Sequence, residues 1–215
     1  PAAHPIRPAS PLGAQHLGIS TVYQEVNLCP NLSVAENIFA GRYPRRGPAQ
    51  GWRIDWAAVH RESRGLLARL DIDIDVTQLL SSYSVAVQQM VAIARALGLS
   101  SKVLILDEPT SSLDDEEVKS LFAVLRRLRG QGLAILFVTH FLNQVYAVSD
   151  RITVLRNGGW VGEWPTAELG PQALISAMVG REFAARAGGH AELPAIEAAG
   201  PGLLGAEGLG QRGQL

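Results

Sequence analysis

Three apolar runs punctuate the first 150 residues: "LGISTVY" at 17–23, "VLIL" at 103–106 and "LAILFVT" at 133–139. Each is continuous rather than alternating, the pattern of a strand buried on both faces of a parallel sheet. Each also leads into a polar residue with chemistry: Gln24 after the first, Asp107 and Glu108 after the second, His140 after the third. In an open α/β sheet, ligands gather outside the carboxyl ends of the strands, so the pattern predicts these four side chains on one rim.

The intervals between the runs carry helical signals. Asp114 with Glu117 three residues on forms a capping-box pattern, followed by an apolar stripe of Val118, Leu121, Phe122, Leu125 and Leu128 and by arginines before Gly130. That is a strand–helix–strand crossover, right-handed in nearly all folds. Residues 40–98 show no strand signal: after "GRYPRRGPAQGWR", helices are predicted over "DWAAVHRESRGLLARL" and, from a Ser84 cap, over "SVAVQQMVAIARAL". This reads as a helical subdomain inserted into the sheet. The arginines at 42, 45, 46 and 53 read as a solvated loop face, and Met90, Val91 and Ile93 as core packing. Beyond His140 come a helix over "FLNQVYAVS", a hairpin marked by "RNGG", and a last helix near 171–179. Eight glycines among residues 188–215 mark a linker.

Composition narrows the function. With 215 residues, 47% of them hydrophobic, there is material for one good core and a satellite or tail. A net charge of −1 argues against a DNA-coating protein or a polybasic membrane anchor. A single cysteine, Cys29, excludes an internal disulfide framework. No apolar run approaches the roughly 20 residues that span a bilayer.

Two adjacent carboxylates, Asp107 and Glu108, ending an apolar strand suggest a magnesium nucleotide. The expected phosphate loop, GxxxxGK[ST], is absent: the only lysines, Lys102 and Lys119, are not preceded by glycine at the required spacing. Together with a start at Pro1 without an initiator methionine, this reads as a piece of something longer. Alone, each signal has a plainer reading: a strand-end Asp-Glu pair as loop solvation or a cap, His140 as an ordinary strand-end histidine, Gln24 as an exposed loop residue, Asp114 equally a helix cap or an interface contact.

In order along the chain, "VYQEVNLCPNLSVAENIFAGR", "YSVAVQQMVAIARAL", "KVLILDEPTSSLD" and "FVTHFLNQVYAVSDRITVLRNG" resemble the ATP-binding subunits of bacterial sugar-importing ABC transporters, of the galactofuranose, ribose and xylose type. The resemblance covers about residues 5–186. It implies an α/β fold, a P-loop NTPase (RecA-like) cassette that is N-terminally incomplete, its mainly parallel sheet carrying an inserted helical subdomain. Residues 1–39 would be the remainder of the N-terminal core with the Q-loop, and 40–98 the helical subdomain with the signature motif. Residues 99–164 would hold the Walker B, D-loop and H-loop motifs, 165–187 the helical end of the cassette, and 188–215 a linker and the start of a second cassette.

The resemblance also implies roles. Asp107 would hold Mg2+, Glu108 would orient or deprotonate the attacking water, and His140 would contact that water and the γ-phosphate of ATP. Gln24 would join the magnesium and water shell and sense the membrane subunit. Ser84, Val85 and Ala86 would begin the signature helix that faces the nucleotide of an opposing cassette, with Asp114 at the interface between cassettes. Val85 and Ala86 stand where the common motif has two glycines, and their side chains would narrow the approach to a phosphate. The implied partners are a second ATP-binding cassette, transmembrane permease subunits and, indirectly, a periplasmic sugar-binding protein, with no nucleic acid expected. The implied location is peripheral, on the cytoplasmic face of the bacterial inner membrane. Two other readings compete: a soluble ABC ATPase acting on nucleic acid or ribosomes, and a catalytically inactive interaction module. Lacking the loop, the 215 residues alone are expected to show no ATPase activity.

Overall fold

A computed structural model describes residues 8–24, 27–47, 52–99 and 101–180. Helix α1 (Pro11–His16) precedes β1 (Ile19–Val22), α2 (Val34–Phe39), α3 (Trp56–Ala68) and α4 (Val85–Leu97). Then come β2 (Val103–Asp107), α5 (Asp115–Gly130), β3 (Ala134–Val138), α6 (Leu142–Val148), β4 (Arg151–Arg156), β5 (Gly159–Pro165) and α7 (Pro171–Val179). The contacts divide the chain into one unit of Pro1–Ile152 with Trp164–Glu168 and another of Thr153–Glu163 with Leu169–Leu215. The linker expected at 188–215 and the residues from 181 onward lie outside the described residues.

In the first unit the three predicted strands pair in parallel, in the order β1-β2-β3. Val22 is level with Leu106, and Asp107 with Val138, so the three chains leave the sheet at one rim. The registers sort the side chains into two faces. Ser20, Val22, Leu104 and Leu106 are buried, with Ile135 and Phe137 half-buried beside them. On the opposite face Leu136 is 53% and Val138 42% exposed.

Burial on both faces, expected from the unbroken apolar runs, is therefore corrected: one face is buried, whereas the other is half-buried on β1 and β2 and exposed on β3. Helix α5 supplies much of the cover on the buried face through Leu121, Phe122, Val124, Leu125 and Leu128, and Phe122 meets Phe137 edge-on at 5.8 Å. Its Asp114–Glu117 capping box forms as predicted, and three acids favour the positive helix end.

Helices α2, α3 and α4 make the helical region, with Val34, Ile38, Val59, Leu67 and Ile93 fully or nearly fully buried in the common core. Met90 and Val91 are buried too, as expected. Helix α2 was not foreseen, although its "SVAE" capping box, Ser33 with Glu36, is complete. One reading of the loop is corrected: Arg42 is not a solvated face. Its guanidinium donates to the carbonyls of Ile38 (2.8 Å), Arg95 (2.8 Å) and Gly98, joining the ends of α2 and α4.

In the second unit, Asn157 (φ 51°) and Gly158 (φ 75°) form the two-residue turn between β4 and β5. Positive φ at both turn positions matches the right-handed twist of the flanking strands. Arg156 donates to the carbonyl of Ala177 in α7 at 3.0 Å.

Candidate active site

Parallel pairing places the residues that follow β1, β2 and β3 on one edge of the sheet. Gln24 lies two residues beyond Val22 and is exposed. Asp107 ends β2 and is half-buried; among the described residues nothing hydrogen-bonds its carboxylate. His140 lies two residues beyond Val138, the partner of Asp107.

The structure joins two of the four predicted side chains directly. His140 Nδ1 stands 2.7 Å from Glu108 Oε1, with the carboxylate side chain 23% and the imidazole 61% exposed. A carboxylate only accepts, so Nδ1 carries the proton and donates. Nε2 is then an acceptor in the neutral ring and a second donor in the imidazolium. The imidazole also lies against the Phe141 ring, with centroids 4.1 Å apart.

Glu108 reaches this contact from an unusual backbone. Its φ is 47°, in the left-handed region that costs a non-glycine residue about 1–3 kcal/mol. Its N–H donates to the Val138 carbonyl at 2.9 Å, which fixes the turn against the end of β3. Behind it, Thr110 is 4% exposed and its hydroxyl donates to Gln144 Oε1 of α6 at 2.7 Å. Sequence reading missed both residues, because a side-chain bond between positions 34 apart leaves no periodic signal.

The remaining candidates lie elsewhere. Ser84 caps α4, its hydroxyl accepting from the Val87 N–H at 3.4 Å. At the far end of α4, Ala96 receives hydrogen bonds from Ser20 of β1 and from Ser101. Twelve residues at 1.5 Å each separate the two ends by about 18 Å. No hydrogen bond among the described residues joins Ser84, Val85 or Ala86 to Glu108 or His140. Val85 is 49% exposed. Asp114 Oδ1 accepts from the Glu117 N–H at 2.8 Å, so its capping role is visible in the structure.

The donors present suit a hard cation, since Asp107 offers unengaged carboxylate oxygens and Gln24 an amide oxygen. No group of three or more His, Cys, Asp or Glu able to hold a metal occurs among the described residues. Asp107 and Gln24 are the residues that would hold a cation here.

A model of the ABC transporter family matches residues 5–111, a span that includes Gln24, Ser84, Asp107 and Glu108. The chain is 52% identical over 178 residues to the galactofuranose transporter ATP-binding protein YtfR of Escherichia coli K12, covering 83% of this chain and 35% of that one. It is 46% identical over 207 residues to the fructose import ATP-binding protein FruK of Bifidobacterium longum, covering 95% and 40%. The chain thus spans about a third to two fifths of the length of these relatives. Among solved structures, it is 26% identical to a dimeric ATP-binding cassette in a post-hydrolysis state bound to ADP and Pi, with a TM-score of 0.56 over 69% of this chain and 62% of that one. A nucleotide-free ATP-binding cassette of an ABC transporter shares the fold at a TM-score of 0.65 and 20% identity, over 80% and 72%. This chain belongs to the ABC transporter family of ATP-binding proteins.

Proposed function

We propose that this chain is the larger part of one cassette in an ATP-hydrolysing subunit that powers import of a sugar across the bacterial inner membrane. The observation that carries the reading is the Glu108–His140 hydrogen bond at the carboxyl rim of a parallel sheet. The names of the relatives, galactofuranose and fructose import proteins, support the sugar class.

On this reading the parts act in order. Asp107, with Gln24, would hold Mg2+, which would supply neutralising charge to phosphate oxygens. Glu108 accepts a proton from, or orients, the attacking water, and its bond to His140 Nδ1 holds the imidazole and leaves Nε2 as the atom that would contact the γ-phosphate. Ser84, Val85 and Ala86 open α4 toward the nucleotide of an opposing cassette, where the helix N-terminus favours an anion. Asp114, besides capping α5, lies where the cassettes would meet. Closure of the two cassettes on ATP moves the permease subunits, and hydrolysis with product release reopens them. The division at residues 39, 98, 164 and 187 into core, helical subdomain, second core segment and helical end belongs to the same proposal, as does a peripheral position on the cytoplasmic face.

The test uses the full-length protein assembled with its permease subunits. Glu108→Gln is expected to keep ATP binding while lowering turnover by on the order of 10²–10⁴-fold. Unchanged turnover removes Glu108 from the chemistry. Hydrolysis stimulated by nucleic acid or ribosomes, and not by a sugar-loaded binding protein, favours the soluble ATPase reading instead.

A further inference from the structure

We propose that Thr110 and Gln144 are positioning residues that set the Glu108–His140 geometry. The inference rests on the reading of that pair as the reacting site. Glu108 and His140 belong to two separate segments, one leaving β2 and one leaving β3, and among the described residues side-chain hydrogen bonds join these segments beside the sheet and again farther along. The first is the Glu108–His140 contact itself. The second is the hydrogen bond from Thr110 to Gln144, two residues past Glu108 and one helical turn past His140.

The two links are unequal. The first is more than half exposed on the histidine side, so solvent and salt screen it and it holds little by itself. The second begins at a buried hydroxyl, and leaving such a donor without its acceptor is costly. The buried link therefore governs the spacing, and the exposed link takes the geometry it is given.

Both anchors are firmly tied to the residues they would position. The Phe141 N–H donates to Thr139 Oγ1 at 3.1 Å and the Gln144 N–H to the Phe141 carbonyl at 3.0 Å, so Gln144 moves with the turn that carries His140. On the other side, the Ser111 N–H donates to the Glu108 carbonyl at 3.3 Å, closing the turn that contains Thr110. The left-handed backbone at Glu108 needs such restraint, since a strained conformation persists only where its surroundings over-determine it. Without the buried link, the Glu108 N–H still ties the turn to the Val138 carbonyl, but the segment beyond Glu108 loses its side-chain tie to α6, and the Glu108 carboxylate swings away from His140 while the sheet stays folded.

The experiment uses the full-length protein and two readouts. In the first, Thr110→Val and Gln144→Ala each lower kcat for ATP by on the order of 10- to 100-fold with little change in KM, as expected of misplaced rather than missing groups. Thr110→Ser and Gln144→Glu keep the donor and acceptor and recover most of the rate, and in a Glu108→Gln background Thr110→Val has no further effect. The second readout needs no turnover: with 15N-labelled histidine, Glu108→Gln shifts the ring-nitrogen signals of His140, and the shift is much smaller when Gln144→Ala is also present. An undiminished shift in the double variant overturns the proposal, as does a rate loss that Gln144→Glu leaves unrecovered or that shows only in KM. A diminished shift in a protein that hydrolyses no ATP upholds the positioning and defeats the proposed function.

Discussion

Arg42 converts an exposed-looking arginine run into a structural anchor. Its guanidinium serves carbonyls from two helix ends and lies over the Phe39 ring, with 5.1 Å to the centroid. Burial, followed by the like charge of Arg95, holds its pKa below the usual arginine value, so the carbonyls carry the compensation. Arg42→Met is expected to lower stability by about 2–4 kcal/mol in urea titration, because charged donors are lost and carbonyls are left without partners. A Cβ at Gly98 would sit 2.5 Å from Nη2 and 2.7 Å from Nη1, so Gly98→Ala should weaken the same anchor. Glu36 gives a pH-dependent counterpart. Its hydrogen bonds from the Ser33 hydroxyl and N–H hold its carboxyl below the ordinary glutamate range, so its contribution is complete above about pH 4.3 and fades as pH falls through the lower folded-state value. The stability difference between wild type and Glu36→Gln should therefore be full at neutral pH and shrink in denaturation curves taken below pH 4. At this scale the chain was only partly legible. Glu108 and His140 were readable because each follows an apolar strand. Arg42 was not, because nothing in its neighbours along the chain announces carbonyls more than fifty residues away.

Elements are more legible than single side chains, because periodicity repeats its message over several residues. Helix α5 begins at its predicted capping box, and α4 begins just after Ser84. Asp114→Ala should cost about 1 kcal/mol of stability, measured by thermal or urea unfolding, through loss of the α5 cap. If the residue also contacts an opposing cassette, the same change should lower ATP turnover of the full-length protein beyond what lost stability explains. The short helices α1 and α2, six residues each, escaped the period-based reading. Two turns offer little periodicity, and only the Ser33–Glu36 box could have revealed α2. The strands were found at the right places, but their double-sided burial was not. An unbroken apolar run says that both faces prefer cover and does not say which layer supplies it.

For the whole molecule, adjacency of β2 and β3 matters most, because it brings residues 32 positions apart into hydrogen-bonding distance. The parallel order was implied by the helical crossover between the runs, whereas the open sheet face had no signal in the sequence. That face presents Leu136 and Val138, backed by half-buried Val103 and Ile105 in register on β2. Neighbouring exposed apolar side chains on one strand face favour association with another apolar surface. Purified by themselves, these 215 residues should elute earlier from a sizing column as loading concentration rises and should brighten a hydrophobic dye. Leu136→Lys should suppress both behaviours while leaving the far-ultraviolet dichroism unchanged.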